Sequence, residues 1–162
     1  MSIDFYTSQI LPYAGIIVKI CRAYTNSEED FEDYYQEVCL QIWKSKNNFN
    51  QESEWSTWIY RLSLNVCLTL LKKSKTSEKV KSEIQQPDLI EDSNVFQNES
   101  INQLYAAIKQ LSEIDRAVIL LYLEEKPNKE IADIIGVTPN NIGVRINRIK
   151  ERLKKILDGK IN

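Results

Sequence analysis

The sequence predicts an all-α protein made of two small helical domains joined by a flexible linker. Its 162 residues include only 4 Gly and 4 Pro, and 43% are apolar, which is typical of a helical globular chain. Apolar residues recur at helical spacing in both halves. Between the halves, residues 74–97 are polar and lack a sustained apolar period, so they cannot bury enough surface to fold alone. We therefore expect domains at residues 1–73 and 98–162, with the linker at 74–97.

Three helices are predicted in the first half. The apolar stretch 10–24 indicates a packed helix. Ser27, with Asp30 three residues later, forms a capping-box pattern that begins a second helix. Its apolar stripe is Phe31, Tyr35, Val38 and Ile42. A third helix begins at Trp55 and again places its apolar residues on one face.

In the second half, the sequence pattern predicts a capped helix, then a shorter helix and then a longer one. Ser112 and Asp115 form another capping box. Asn128 is the expected cap of a short helix over 129–135, and Gly136 supplies the turn after it. Thr138 and the proline that follows open the last helix, whose predicted core residues are Ile142, Ile146, Ile149, Leu153 and Ile156.

Composition excludes several function classes. The chain has 0 His, so the commonest general base and metal ligand is missing, and we expect neither an enzyme nor a metal or other cofactor. Its three cysteines are odd in number and lie in apolar patterns, which favours buried thiols over disulfides. No apolar run approaches the roughly 20 residues of a membrane span, and the first residues lack a basic signal region. These features predict a cytoplasmic protein without membrane insertion.

A short helix, a glycine turn and a longer capped helix are typical of a helix-turn-helix, whose second helix enters the DNA major groove. The net charge is −2, yet residues 139–162 are strongly basic, which suits phosphate contact. Asn140, Asn141, Arg145 and Arg148 point outward in this pattern, and asparagine and arginine are residue types that read base edges. A helical hairpin with a solvated basic face is the alternative.

The third helix carries a second hint of nucleic-acid binding. Phe49, Trp55 and Tyr60 interleave with amides and cations, an arrangement that can stack and hold unpaired bases. Trp58 is predicted to lie in the core, whereas Trp55 and Tyr60 fit either a core or a base-stacking role.

Three segments resemble the group IV, or extracytoplasmic-function, sigma factors of bacterial RNA polymerase. FEDYYQEVCLQIW, residues 31–43, resembles the polymerase-binding helix of that family, and WSTWIYRLSLNV, residues 55–66, resembles its minus-10 helix. Residues 107–157 resemble its region 4. The resemblance covers nearly all of the chain except the linker. It implies a three- or four-helix region 2 bundle and a region 4 helix-turn-helix.

By position, the resemblance implies three sets of binding residues. The residues expected to face core polymerase are Glu32, Asp33, Gln36, Glu37, Cys39 and Trp43. Those expected at the melted minus-10 element are Phe49, Asn50, Trp55, Ser56, Thr57, Tyr60, Arg61 and Asn65. Those expected on the minus-35 duplex are Lys129, Thr138, Asn140, Asn141, Arg145 and Arg148. Gly143 departs from the family pattern, which commonly has a DNA-contacting lysine there.

The resemblance implies a non-enzymatic promoter-specificity subunit whose partners are core polymerase, promoter DNA and, in principle, an anti-sigma factor. Two other functions fit the residues alone. A stand-alone helix-turn-helix regulator would bind a palindrome as a dimer without polymerase. A sigma-like interaction protein would capture polymerase but give no promoter-specific transcript.

Overall fold

The computed structural model describes residues 1–80 and 99–159, with side chains described for residues 1–75 and 99–159. Within these ranges the regular structure is helical, without strands. The chain separates into two compact units, Met1–Asp92 and Ser93–Asn162. The predicted all-α class with two helical domains is confirmed. Residues 81–97 of the predicted linker lie outside the described residues.

The first unit begins with a short irregular helical segment and continues with three longer helices. Helix α1 spans Ile3–Phe5, a π-turn spans Tyr6–Ile10, and a 3-10 turn spans Leu11–Tyr13. Helices α2, α3 and α4 then span Ala14–Ala23, Glu28–Ser45 and Trp55–Val80. Helix α4 continues into the segment predicted as a linker, because no Gly or Pro interrupts the chain before Pro87.

The core of the first unit is formed where α2, α3 and α4 meet. Ile17, Val38, Ile42 and Ile59 are fully buried there, so the predicted stripe of α3 does face a core. The other two members of that stripe, Phe31 and Tyr35, are half-buried. Their rings stack with centroids 6.4 Å apart.

The three cysteines of the first unit are buried free thiols, as predicted. The sulfurs of Cys21 and Cys67 lie 3.9 Å apart between α2 and α4. Burial raises the pKa of Cys39 to about 11, because the apolar surroundings disfavour the thiolate. Burial therefore favours the neutral thiol of Cys39.

The second unit contains helices α5 to α8, at Glu99–Ile108, Glu113–Leu123, Asn128–Ile135 and Pro139–Leu157. The predicted caps form: Ser112 Oγ accepts the amide hydrogen of Asp115 at 3.2 Å, and Thr138 Oγ1 accepts that of Asn141 at 3.2 Å. Gly136 adopts a φ of 90°, a left-handed conformation that favours glycine.

The start of α7 differs from the sequence prediction. Pro127, not Asn128, is the N-cap, and Asn128 is the first helical residue. The proline ring holds Pro127 in an extended conformation, while its carbonyl accepts the first helical bond from the amide of Ile131 at 3.0 Å. The difference shifts one helix boundary by one residue and leaves the core unchanged, with Ile131 and Ile142 fully buried.

Candidate nucleic-acid and partner-binding surfaces

The outer surface of α7 and α8 carries most of the residues predicted to meet duplex DNA. Gly136 turns the chain sharply between the two helices, so that the first turn of α8 projects from the unit. The exposed members of the predicted set are Lys129, Thr138, Asn140, Asn141 and Arg148. The Thr138 side chain is also the N-cap, which leaves its hydroxyl hydrogen as the group able to donate to a ligand.

Arg145, the remaining member of that set, is held within the second unit. Its Nη1 donates to Asp115 Oδ1 at 2.8 Å, and its Nε donates to Asn141 Oδ1 at 3.4 Å. The side chains of Arg145 and Asp115 are 29% and 25% exposed. Asp115 on α6 therefore binds one edge of the Arg145 guanidinium. The sequence assigned Asp115 only a capping role and did not predict this pair.

Gly143 lies on the side of α8 that approaches the start of α7. A Cβ atom built there would have Asn128 Nδ2 as its neighbour at 3.6 Å, an ordinary van der Waals distance. A small side chain is therefore compatible with the space at this position. Packing around position 143 therefore does not require glycine.

Five half-buried aromatic side chains form one cluster at the start of α4 in the first unit. They are Phe5, Trp43, Phe49, Trp55 and Trp58, called the aromatic cluster below. The indoles of Trp55 and Trp58 stack with centroids 4.9 Å apart. Phe49 contacts both, with centroid distances of 5.1 and 5.7 Å. Trp58, predicted to lie in the core, is thus partly at the surface.

The loop before α4 is shaped by its own side chains. Asn50 Oδ1 accepts the amide hydrogen of Glu52 at 3.1 Å, and Gln51 adopts a φ of 64°. Asn50 is exposed beside the aromatic cluster, as are the carboxylates of Glu52 and Glu54. Polar and anionic groups therefore surround the aromatic rings at this surface.

The structure places the predicted minus-10 residues at different depths. Phe49 and Trp55 belong to the aromatic cluster, Ser56 and Arg61 are half-buried, and Asn50 and Asn65 are exposed. Thr57 and Tyr60, by contrast, are only 7% and 8% exposed. Both side chains lie on the same side of α4 as the buried Leu64, so little of either is exposed in the first unit.

Helix α3 presents an acidic surface away from the core. Glu32, Asp33 and Gln36 are exposed, and Glu37 Oε1 accepts a hydrogen bond from Gln41 Nε2 at 2.9 Å. The other two residues predicted on this surface lie elsewhere. Cys39 is only 3% exposed, because it follows Val38 on the side packed against the other helices.

Trp43 is half-buried in the aromatic cluster rather than on the acidic surface of α3. Its ring meets that of Phe5 edge-on, with centroids 5.1 Å apart. Lys46 Nζ lies 3.7 Å from the Trp43 centroid, a cation–π contact that covers the ring. These contacts account for the Trp43 ring without a partner protein.

A groove of about 520 Å³ lies between α3 and α4, beside the acidic surface. Its lining includes Asp30, Asp33, Tyr34, Gln36, Glu37, Leu40, Leu70, Lys73 and Ser74. The apolar members, Leu40 and Leu70, were not predicted from the sequence as part of this surface. Leu40 is the informative one, because it is an exposed leucine among acidic side chains on α3 and lies off the core stripe.

The described part of the chain has neither a membrane-spanning helix nor a cluster of metal ligands. No helix in residues 1–80 or 99–159 is long and apolar enough to cross a membrane. No group of three or more His, Cys, Asp or Glu side chains within these ranges is arranged to hold a metal ion.

Two separate helical units, the second containing a helix-turn-helix with an exposed polar and basic surface, define a helix-turn-helix protein of modular construction. Matches to family models identify the family to which it belongs. The model described as Sigma-70 region 2 matches residues 10–76, and the model described as Sigma-70, region 4 matches residues 101–153. The chain belongs to the sigma-70 family, in its extracytoplasmic-function group.

Individual relatives agree with this assignment. The extracytoplasmic-function sigma factor SigG of Mycobacterium tuberculosis is 28% identical over 179 residues, which cover 93% of this chain and 48% of SigG. The chain thus spans about half the length of SigG. SigW of Bacillus subtilis is 24% identical over 167 residues, which cover 95% of this chain and 89% of SigW.

Solved structures share the fold at lower identity. The sigma factor RpoE from Bartonella quintana, crystallised with the anti-sigma factor NepR, has a TM-score of 0.79 and 17% identity. That match covers 96% of this chain and 97% of RpoE. CnrH, solved with the cytosolic domain of CnrY, has a TM-score of 0.71 and 16% identity, and covers 99% of this chain and 92% of CnrH.

Proposed function

We propose that this protein is a promoter-specificity subunit of bacterial RNA polymerase. It binds core polymerase, recognises the minus-10 and minus-35 promoter elements, and helps to open the duplex, while catalysis belongs to the polymerase. One observation carries the proposal: an acidic helix and an aromatic cluster lie in a region 2 unit, followed in the same chain by a region 4 helix-turn-helix unit. The protein then works in the cytoplasm, where its partner is.

The acidic surface of α3 is the proposed polymerase contact. Glu32, Asp33, Gln36 and Glu37 offer carboxylate and amide groups to a basic partner surface. Electrostatic complementarity of this kind speeds association and fixes orientation. The adjacent groove adds the apolar side chains of Leu40 and Leu70, so that apolar burial can supplement the charge contacts.

The aromatic cluster is the proposed site for an unpaired base of the minus-10 element. Taking a base out of the stack costs a few kcal/mol, and stacking on an aromatic side chain returns about 1–3 kcal/mol. Phe49 and Trp55 supply partly exposed rings, while Asn50, Ser56, Arg61 and Asn65 supply polar groups nearby. Thr57 and Tyr60 support this surface from beneath, since both are buried.

Helix α8 is the proposed minus-35 reader. Its exposed first turns can enter the major groove, where Asn140, Asn141 and Arg148 reach base edges or phosphates. Arg145 lies one turn along from Asn141 and presents its guanidinium from a fixed position beside Asp115. Lys129 and Thr138 complete the proposed contact at the start of the two helices.

An anti-sigma factor is a further proposed partner. Two solved proteins with this fold were captured with partners, the sigma factor RpoE with the anti-sigma factor NepR and CnrH with the cytosolic domain of CnrY. The likeness of this chain to both supports a protein of that class as a regulator.

Reconstituted transcription with bacterial core polymerase and a genomic promoter library tests the proposal. We expect transcripts from a defined set of promoters that appear only when the protein is added. A chain that binds polymerase without promoter-specific transcripts would contradict the proposal, and so would a chain that binds duplex operators as a dimer without polymerase.

The double variant Asp33→Lys with Glu37→Lys tests the proposed polymerase surface. We expect it to fold but to lose co-purification with polymerase, because both side chains lie away from the core. The matched control, Glu151→Lys with Asp158→Lys, makes the same change of net charge at exposed positions on and just after α8. Equal recovery of polymerase by the two double variants would place the interface elsewhere.

A further inference from the structure

We propose that the N-terminal turn, residues 3–10, is a working part of the single-strand binding surface, with Phe5 as a residue that positions Trp55. This inference rests on the proposed function, because it assumes that the aromatic cluster receives an unpaired base. The sequence gives these residues no such role. They lie far from α4 along the chain, and three contacts hold them against α3 and α4.

The first contact fixes the direction of the Trp55 ring. Its indole Nε1 donates a hydrogen bond to the backbone carbonyl of Gln9 at 2.9 Å. The indole N–H is the only donor of a tryptophan side chain, so this one bond determines its orientation. Pro12, three residues after Gln9, has no N–H and cannot compete for that carbonyl through a 3-10 bond. Gln9 lies in the π-turn, a conformation often found at functional sites.

The second contact is the Phe5 ring, which joins the end of α3 to the start of α4. It meets Trp43 edge-on at 5.1 Å and Trp55 edge-on at 6.4 Å between centroids. Lys46 Nζ lies 5.9 Å from the Phe5 centroid as well as over Trp43. Trp55 is packed by Trp58 and Phe49 too, so Phe5 completes the set of rings around it.

The third contact anchors the turn itself to the first unit. The Tyr6 and Tyr35 hydroxyls share a hydrogen bond of 2.8 Å, and Ile10 is fully buried. Burial and the Tyr6 hydrogen bond raise the pKa of Tyr35, so this hydroxyl stays protonated and the bond persists across the neutral range. Phe5 and Gln9 are thereby held at fixed positions against the aromatic cluster.

The consequence is preorganisation. A ring already held in its binding orientation loses less conformational freedom when a base stacks on it, which strengthens binding without any added contact. Removing Phe5 therefore weakens the strand contact through Trp55, while the acidic surface of α3 and the helix-turn-helix unit keep their own contacts.

The test uses the complex of the full chain with core polymerase and a promoter template that is already unpaired over the minus-10 element. In a parallel set of templates each unpaired nucleotide is made abasic in turn. For the wild-type protein we expect one abasic position to weaken binding strongly. We expect Phe5→Ala to weaken binding to the intact strand about tenfold, within the range of one stacked base, and to add no loss on that abasic template.

Three further variants separate positioning from general damage. Phe5→Tyr retains the ring and should restore wild-type binding, whereas Phe5→Leu retains apolar volume without the ring and should behave like Phe5→Ala. Leu11→Ala is the matched control, because Leu11 follows the turn directly and is 49% exposed, and it should leave strand binding unchanged. Affinity for core polymerase should remain unchanged in all of them.

Two results would overturn the inference. One is an equal loss of binding by Phe5→Ala and Phe5→Leu on the intact and abasic templates. The other is wild-type binding of the intact strand by Phe5→Leu, provided that the wild-type protein itself binds the intact and abasic templates differently. In both cases the proposed function would stand. If the wild-type complex does not distinguish intact from abasic strands at any position, the proposed minus-10 function fails and the inference fails with it.

Discussion

The ion pair between Arg145 and Asp115 should link α8, the proposed minus-35 helix, to α6 by a measurable free energy. The 2.8 Å distance and exposures of 29% and 25% place the pair between a surface salt bridge and a desolvated one. Exposed pairs contribute about 0–1 kcal/mol, and hydrogen bonds to charged groups in drier sites about 1.5–3 kcal/mol. We therefore expect a coupling free energy of about 1 kcal/mol between the two side chains.

A double-mutant cycle with Arg145→Ala, Asp115→Ala and the double variant measures that coupling. Asp115→Ala should lower the free energy of unfolding of the second unit more than Arg145→Ala does. Asp115 lies in the first turn of α6, where its carboxylate also interacts with the helix dipole and contributes about 0.3–1 kcal/mol. Arg148→Ala is the matched control, since that arginine is exposed on the same helix. It should change stability by less than about 0.5 kcal/mol.

Urea unfolding can resolve the two units because all three tryptophans, Trp43, Trp55 and Trp58, lie in the first one. The helical circular dichroism signal reports both units, and tryptophan fluorescence reports the first. The midpoint of the second unit should shift in the Arg145 and Asp115 variants, while the fluorescence transition stays in place. A coupling free energy indistinguishable from zero at low salt would refute the claim that this pair joins α6 to α8.

Substitutions at four other positions have expected effects on stability, each measured by chemical denaturation. Gly143→Ala should stabilise the second unit by about 0.5–1 kcal/mol, because a Cβ there meets only an ordinary contact, whereas Gly136→Ala should destabilise it because of the φ of 90°. Thr138→Ala should lower the stability by about 1 kcal/mol through loss of the N-cap, and Thr138→Ser should retain most of the N-cap stabilisation. Cys39 has a pKa raised from 9.0 to about 11. The contribution of its neutral thiol to the free energy of unfolding is therefore complete below pH 9 and is lost as the pH rises towards 11. Wild-type stability should therefore fall more steeply than that of Cys39→Ala over this interval, by up to about 2 kcal/mol, and parallel pH profiles would contradict the assignment.

Much of the fold follows from local sequence signals. Ser27, Ser112 and Thr138 cap helices as predicted, because a hydroxyl at the N-cap satisfies a nearby backbone amide whatever the rest of the chain does. The turn at Gly136 is equally local. Periodicity likewise identified buried residues of α3 and α8, since each helix has one broad apolar stripe. At the ends of these stripes Phe31, Tyr35 and the predicted core residue Ile156 are only half-buried.

Exposure was harder to predict for residues at the edges of those stripes. Successive helix residues are separated by about 100°, so Cys39, next to Val38, can face the core or a partner depending on which helices pack beside α3. In this protein α2 and α4 pack against the side of α3 that carries Cys39, so Cys39 is buried. The same reason applies to Thr57 and Tyr60 on α4.

Contacts between distant parts of the chain left no local signal. The Arg145 to Asp115 pair joins residues 30 apart, and the hydrogen bond from Trp55 to Gln9 joins residues 46 apart. Neither spacing has a periodic signature, so only the folded arrangement brings these groups together. The role assigned to Phe5 has the same origin.

The dependence of promoter binding on core polymerase tests the central claim most directly. The equilibrium affinity for a labelled promoter fragment is measured by fluorescence anisotropy, at one fixed salt concentration, with the protein alone and with the protein plus core polymerase. We predict tight, sequence-selective binding only in the presence of polymerase. Equally tight and selective binding by the protein alone, unaffected by polymerase, would contradict the account.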